Sequence, residues 1–278
     1  MKKKRNILSV LLLSVALLAA GCGSAETSGN NGDGQASATS DTSSSASSAA
    51  GSSMTREEGV FTFVSSGEFQ PFSYYKDGQL TGFDVEIGME LAKRMGLKPN
   101  PVTAPFSGII TGIKEGRYDA AVASHTITEE RLQQVDFSDP YYLSGGHLFT
   151  RPGEEITSLE DLRGKEVAVA LGTVYEQLAR EYTDNIKTYD SDVTALRALD
   201  QGKHDAVVTD IIVGDIAIQQ GFKIKATGVK FTEDKQGIAV RKGNTELLNK
   251  INEALRQMHE DGTYQKLSEK YFNRDISK

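Results

Sequence analysis

The sequence is short of the residues that staple, ligate or span. One cysteine, Cys22, leaves no partner for an internal disulfide. The four histidines (His125, His147, His204 and His259) have no metal-ligand spacing, so no metal and no cofactor are expected. There is no basic cluster beyond the N-terminus, and 31 Lys and Arg stand against 38 Asp and Glu, which argues against nucleic acid as a partner. No nucleophile–base pair stands out, so no catalytic residue is expected. Nor is there a run that reads as a transmembrane helix. The apolar stretch at 7–20 follows the positive residues Lys2 to Arg5 and has the length of a signal-peptide core.

What is present divides the chain in three. Residues 1–21 read as a signal peptide, and their removal takes away four positive charges and leaves a more acidic mature chain. Cys22 follows directly, in LAAGC at 18–22, which resembles a bacterial lipobox; the alternative is a chance cysteine near an ordinary signal-peptidase site. Residues 22–58 are nearly all Gly, Ser, Ala, Thr, Asn and Asp, and too little apolar surface is available there for a packed structure. This part is expected to be a tether between a lipidated Cys22 and the folded domain.

From residue 59 onward the pattern is α/β. Strands are expected at 61–65, 101–104, 120–123, 164–171 and 236–240, with a hairpin over 72–80 turning at Lys76-Asp77-Gly78. Helices are expected at 84–95, 106–116, 175–182, 193–199, 212–220, 245–260 and 264–272. GRYDAAVAS at 116–124 is echoed by GKHDAVVTD at 202–210. Each copy is a helix end, a turn with Asp, and a short strand that delivers a polar residue at its carboxyl end. Ligands of open α/β sheets bind beyond such ends, so the repeat predicts two sheets, each with a polar edge.

The residues around the first copy suggest a receptor for a carboxylate. Ser124, Thr126 and Thr128 leave a strand, and Arg131 follows on a turn capped by Thr128. A guanidinium is a planar fork that matches two carboxylate oxygens. A second anion-compatible turn is Gly172-Thr173-Val174, between a strand and a helix start. Arg131 has an alternative reading as a surface ion-pair partner of Glu129, Glu130 or Asp136. Asp210 has one as the cap of the next helix, and Phe69 and Phe106 as plain core. By strand alternation His125 is expected to point away from the pocket.

Taken together, TITEER at 126–131 and VDFSDPYY at 135–142 resemble the signature of the family 3 extracellular solute-binding proteins, the polar amino acid receptors of ABC importers. PF at 71–72 with GFDV at 82–85 matches the N-terminal motif of that family, and DLRGK at 161–165, LGT at 171–173, GIAVRK at 237–242 and DGTY at 261–264 match the later ones in order. The resemblance implies a periplasmic-binding-protein fold of type II: two α/β lobes joined by two hinge strands, with the ligand cleft between them. Lobe 1 is expected at 59–146 plus 238–278 and lobe 2 at 147–237, with hinges near 143–150 and 234–240.

The resemblance also implies roles. Arg131 holds an α-carboxylate with the amides of Thr126, Thr173 and Val174. Asp210 pairs with an α-ammonium, aided by the Thr126 hydroxyl and the Ser124 carbonyl. Phe69 and Phe106 cover the apolar body of the ligand. Ser66 stands where receptors for basic amino acids often carry an acid, which favours glutamine or cystine over arginine or lysine, although Glu68 is near. The expected protein is a monomeric, lipid-anchored, extracytoplasmic receptor that serves a membrane ABC permease. A dehydratase on the same fold and a partner-mediated chemosensory module are the alternatives.

Overall fold

A computed structural model describes residues 54–278; the expected signal peptide, Cys22 and most of the tether lie outside the described residues. Among the described residues no helix is long and apolar enough to cross a membrane.

Two sheets organise the chain. β1 (Val60–Ser65) is buried at nearly every position, as a strand covered on both faces must be, and it lies between the parallel strands β5 (Lys98–Thr103) and β6 (Ala120–Thr126). β14 (Asp234–Arg241) runs antiparallel to β6 and also pairs with β7 (Val135–Phe137) and β8 (Tyr142–Ser144), which completes a six-stranded sheet. The second sheet has five strands in the order β11 (Ile186–Tyr189), β10 (Val167–Ala170), β12 (Ala206–Asp210), β9 (Gly146–Thr150) and β13 (Lys225–Lys230). A three-stranded ribbon of β2 (Glu68–Phe69), β3 (Ser73–Lys76) and β4 (Gln79–Thr81) sits beside the first sheet. Its tight turn, Asp77-Gly78, has φ of 52° and 77°, the primed geometry that suits the twist of a hairpin.

Helices α1 (Phe83–Arg94), α2 (Phe106–Lys114), α3 (Glu129–Leu132), α7 (Thr245–Glu260) and α8 (Thr263–Phe272) belong with the first sheet. Helices α4 (Val174–Arg180), α5 (Asp192–Asp200) and α6 (Ile211–Gln219) belong with the second. α1 shows why these segments are helical. Phe83, Val85, Ile87, Leu91 and Ala92 make one buried stripe, Asp84 and Glu86 meet the positive end of the helix, and Lys93 and Arg94 the negative end. Its N-cap, Gly82, has φ 127°, and a Cβ there would lie 2.2 Å from the Phe72 carbonyl oxygen, so only glycine fits.

The sequence repeat is a structural one. β6 and β12 are the equivalent central strands of the two sheets, each with a parallel neighbour on one side and an antiparallel one on the other. In each copy the turn aspartate clamps the neighbouring segment: Asp119 accepts from the Thr62 amide at 2.7 Å, and Asp205 from the Glu166 amide at 2.8 Å.

Two crossings join the sheets. The outgoing one is Gly145, between β8 and β9, and the return one is 231–233, between β13 and β14. Residues 234–237 pair within the first sheet, so the return crossing lies earlier than the sequence boundary at 237–238. The crossings touch. The Phe231 amide donates to the Gly146 carbonyl at 2.8 Å, and the Gly146 amide to the Thr232 hydroxyl at 2.9 Å. A Cβ on Gly145 would lie 2.3 Å from the Thr232 carbonyl oxygen.

Residues 54–58, expected as the end of the tether, are held on the first sheet: the Arg56 amide donates to Asp119 and Asn244 donates to the Met54 carbonyl. The sequence left β2, β7, β11 and β13 unmarked. β7 has only three residues, and β11 and β13 are largely solvent-facing edge strands without an alternating apolar pattern.

Candidate functional site

The carboxyl ends of β6 and β12 face one cavity between the lobes. It encloses about 500 Å³ of empty space, part of it open to solvent, and all nine residues singled out from the sequence line it: Ser66, Phe69, Phe106, Ser124, Thr126, Arg131, Thr173, Val174 and Asp210.

On the first lobe, β6 changes register against β14 as it reaches the cavity, and Ser124 adopts φ 56° there. A left-handed non-glycine residue needs support. The Ser124 amide donates to the Tyr141 hydroxyl at 3.0 Å, the Ser124 hydroxyl donates to Asp84 at 2.8 Å, and the Tyr141 hydroxyl donates to the same carboxylate at 2.6 Å. Asp84 is fully buried, and burial pushes its pKa up to about 6 despite those two hydrogen bonds. GFDV and DPYY thus act through one network that holds the bend of β6.

Arg131 lies on the single turn α3, whose N-cap Thr128 accepts from the Arg131 amide at 3.2 Å. The guanidinium donates to the Thr126 carbonyl at 2.8 Å and, across the cleft, to the Gly172 carbonyl at 3.1 Å. It stands 6.0 Å from the Phe106 ring centroid. Among the described residues it makes no ion pair; Glu129 and Glu130 do not engage it, and Asp136 pairs with Lys242 instead. His125 does not line the cavity. Its ring stacks on Phe106 at 4.3 Å and is 1% exposed, with Nδ1 unpartnered among the described residues. Burial, with Arg131 beside it, keeps this imidazole neutral. Phe69 is backed by Phe72, which stacks in turn on Tyr142.

On the second lobe, Thr173 caps α4, accepting from the Glu176 amide at 3.2 Å and donating to the Ala170 carbonyl at 2.7 Å. The cap leaves the first-turn amides of α4, Val174 among them, at the cavity wall. Gly172 has φ 80°, and a Cβ there would lie 2.9 Å from Ser107 Cα on the other lobe. Asp210 both caps and faces the cavity: one oxygen accepts from the Ile212 amide at 2.8 Å, the other lies 3.5 Å from the Tyr175 hydroxyl. It is 2% exposed and has no cationic partner among the described residues. Burial pushes its pKa up to about 7, and Asp192 and Asp234 add to the shift.

Seven further residues line the cavity: Tyr142, Ala170, Tyr175, Asp190, Ser191, Asp192 and Gln236. Tyr142 ends one quoted motif, Gln236 directly precedes another, and Ser191 carries an N-cap signal one residue before α5, so three had a local sign. Asp192 lies in the first turn of α5 and accepts from the Thr209 hydroxyl at 2.6 Å; its pKa too is pushed up to about 6 by burial. The Tyr142 hydroxyl and Gln236 Oε1 are buried without a partner among the described residues.

Comparison with known proteins matches residues 61–274 to the model for bacterial extracellular solute-binding proteins, family 3. The L-cystine-binding protein of Escherichia coli K12 is 36% identical over 229 residues, covering 80% of this chain and 86% of that protein. The ABC transporter glutamine-binding protein of Bacillus subtilis 168 is 31% identical over 283 residues, 99% of each chain. A solved ancestral arginine-binding protein bound to arginine is 41% identical with a TM-score of 0.73, covering 77% of this chain and 98% of that one.

Proposed function

The chain belongs to the bacterial extracellular solute-binding proteins of family 3, and from that membership we propose that it captures a free α-amino acid in the interlobe cavity for a membrane ABC permease. The observation that carries this reading is a half-buried cation and a buried anion in one cavity, Arg131 and Asp210, each without an ion-pair partner among the described residues. An unpaired buried charge is costly, and a zwitterion relieves both at once. Arg131 takes the carboxylate with the amides of Thr126, Thr173 and Val174. Asp210 takes the ammonium with the Thr126 hydroxyl and the Ser124 carbonyl. Phe69 and Phe106 cover the remainder, with Ser66 at the edge. Relatives named for cystine, glutamine and arginine share this head and differ elsewhere, which supports a head-first mode of recognition. Contacts shared between lobes favour the closed arrangement.

The same reading makes the protein a receptor and not an enzyme, monomeric, and anchored through a lipidated Cys22 on the extracytoplasmic side of the membrane. The test is a thermal-shift screen of the purified protein and its Arg131→Ala variant against the free amino acids and cystine. A ligand at about 100 times its dissociation constant adds roughly 2.7 kcal/mol, a rise of several degrees. The expected result is such a shift in the parent, absent in Arg131→Ala, with the ligand recovered unchanged. Affinity retained in Arg131→Ala within about threefold would sink the carboxylate assignment.

A further inference from the structure

We propose, resting on the reading above, that the preferred ligand class is an amino acid with two α-amino-acid heads joined through a linker. Three observations on the cavity point there. First, it offers more acceptors than one ammonium fills. Asp190 and Asp192 line it with Asp210, and Gln236 adds a buried, unpartnered Oε1. A ligand that brings a second nitrogen meets this surplus.

Second, a groove adjoins the cavity. Asp190 and Ser191 are also the wall of a neighbouring groove, with about 820 Å³ of empty space partly open to solvent. Glu68 lines that groove from the first lobe, and Thr188, Tyr189, Val193, Thr194 and Arg197 join Asp190 and Ser191 from the second. The shared Asp190 and Ser191 place this groove directly beside the site of a ligand head held at Arg131 and Asp210, still between the lobes.

Third, the groove repeats the chemistry of the inner cavity. Arg197 projects from α5 into it, 5.3 Å from the Phe222 ring centroid, and forms no ion pair among the described residues. Glu68 and Asp190 stand in the same groove. A guanidinium beside carboxylates is again a receptor for a carboxylate and an ammonium. A basic amino acid would place its cationic end toward Arg197, where like charges repel. A ligand of glutamine length leaves the groove empty. Two zwitterionic heads fill both.

The experiment is titration calorimetry of the purified protein and its Arg197→Ala variant with L-cystine, L-cystathionine, S-methyl-L-cysteine and L-arginine. The expected result is that both double-headed ligands bind at least about tenfold more tightly than S-methyl-L-cysteine and L-arginine. In Arg197→Ala the double-headed ligands lose about tenfold and the advantage over S-methyl-L-cysteine shrinks, with the ligand-free melting temperature unchanged. The proposal is overturned if a single-headed ligand binds as tightly, or if Arg197→Ala leaves the double-headed affinities unchanged. Single-headed binding with no effect of Arg197→Ala overturns this inference alone. No binding of any of the four overturns this inference too, and the amino acid reading falls with it only if the thermal-shift screen of all the free amino acids is also flat.

Discussion

Asp210 makes ligand affinity depend on pH, with a sign and size that follow from its surroundings. Its pKa in the ligand-free protein is pushed up to about 7 by burial, with Asp192 and Asp234 adding. The proposed ammonium partner favours the ionised form, so only the ionised fraction of the protein is ready to bind. That fraction is about one half at pH 7 and about 1% at pH 5, so affinity drops roughly fiftyfold over that interval, equivalent to about 2.3 kcal/mol. Binding at pH 7 also releases about half a proton per ligand. The ligand-free fold responds in the opposite direction. A carboxyl with a raised folded-state pKa contributes stability that is complete below its unfolded value and is lost as the pH rises through about 7. Asp84 and Asp192, each raised to about 6, act in the same sense. Calorimetric titrations from pH 5 to pH 8, in two buffers of different ionisation heat, give affinity and proton release together. Affinity constant within about threefold from pH 7 to pH 5, or proton uptake on binding, would refute the pairing of Asp210 with the ligand.

Two further outcomes follow from the bend and the rim. Tyr141→Phe removes the hydroxyl that joins the Ser124 amide to Asp84. An unsatisfied buried group costs about 1–3 kcal/mol, so urea unfolding is expected to show that loss, with affinity reduced because Ser124 is no longer held; unchanged stability would mean the network is idle. Gly172→Ala places a Cβ 2.9 Å from Ser107 Cα across the cleft at φ 80°. Affinity is expected to fall at least about tenfold by calorimetry, while the ligand-free melting temperature falls by only a few degrees. Equal affinity would show that the rims need not approach this closely.

The sequence was most legible where local chemistry and tertiary role coincide. α7 spans the expected 245–260, because Leu247, Ile251, Ala254, Leu255 and Met258 form a clean buried stripe that starts at an Asn244 cap. The nine expected residues came partly from motifs and partly from the roles the family resemblance implies, and the structure places all nine along one cavity. Asp192 and Gln236 were not found. Nothing local distinguishes a capping-turn aspartate from one that also faces a cavity, since that depends on Thr209 and on the opposite lobe. His125 shows the limit of alternation. It is kept off the cavity as expected, but its ring supports Phe106 through a contact of 4.3 Å that no pattern within β6 predicts.

The contact between the two crossings has a mechanical consequence. Gly145 and Gly146 let one linker lie directly on the Thr232 segment of the other, so the pair bends as a single ribbon. Two separate flexible threads would allow the lobes to twist, slide and splay independently. A ribbon joined by hydrogen bonds suppresses shear between its strands and leaves one soft angular coordinate. The expected outcome is opening about one axis, checked by whether one distance measured between probes on the two lobes follows ligand binding.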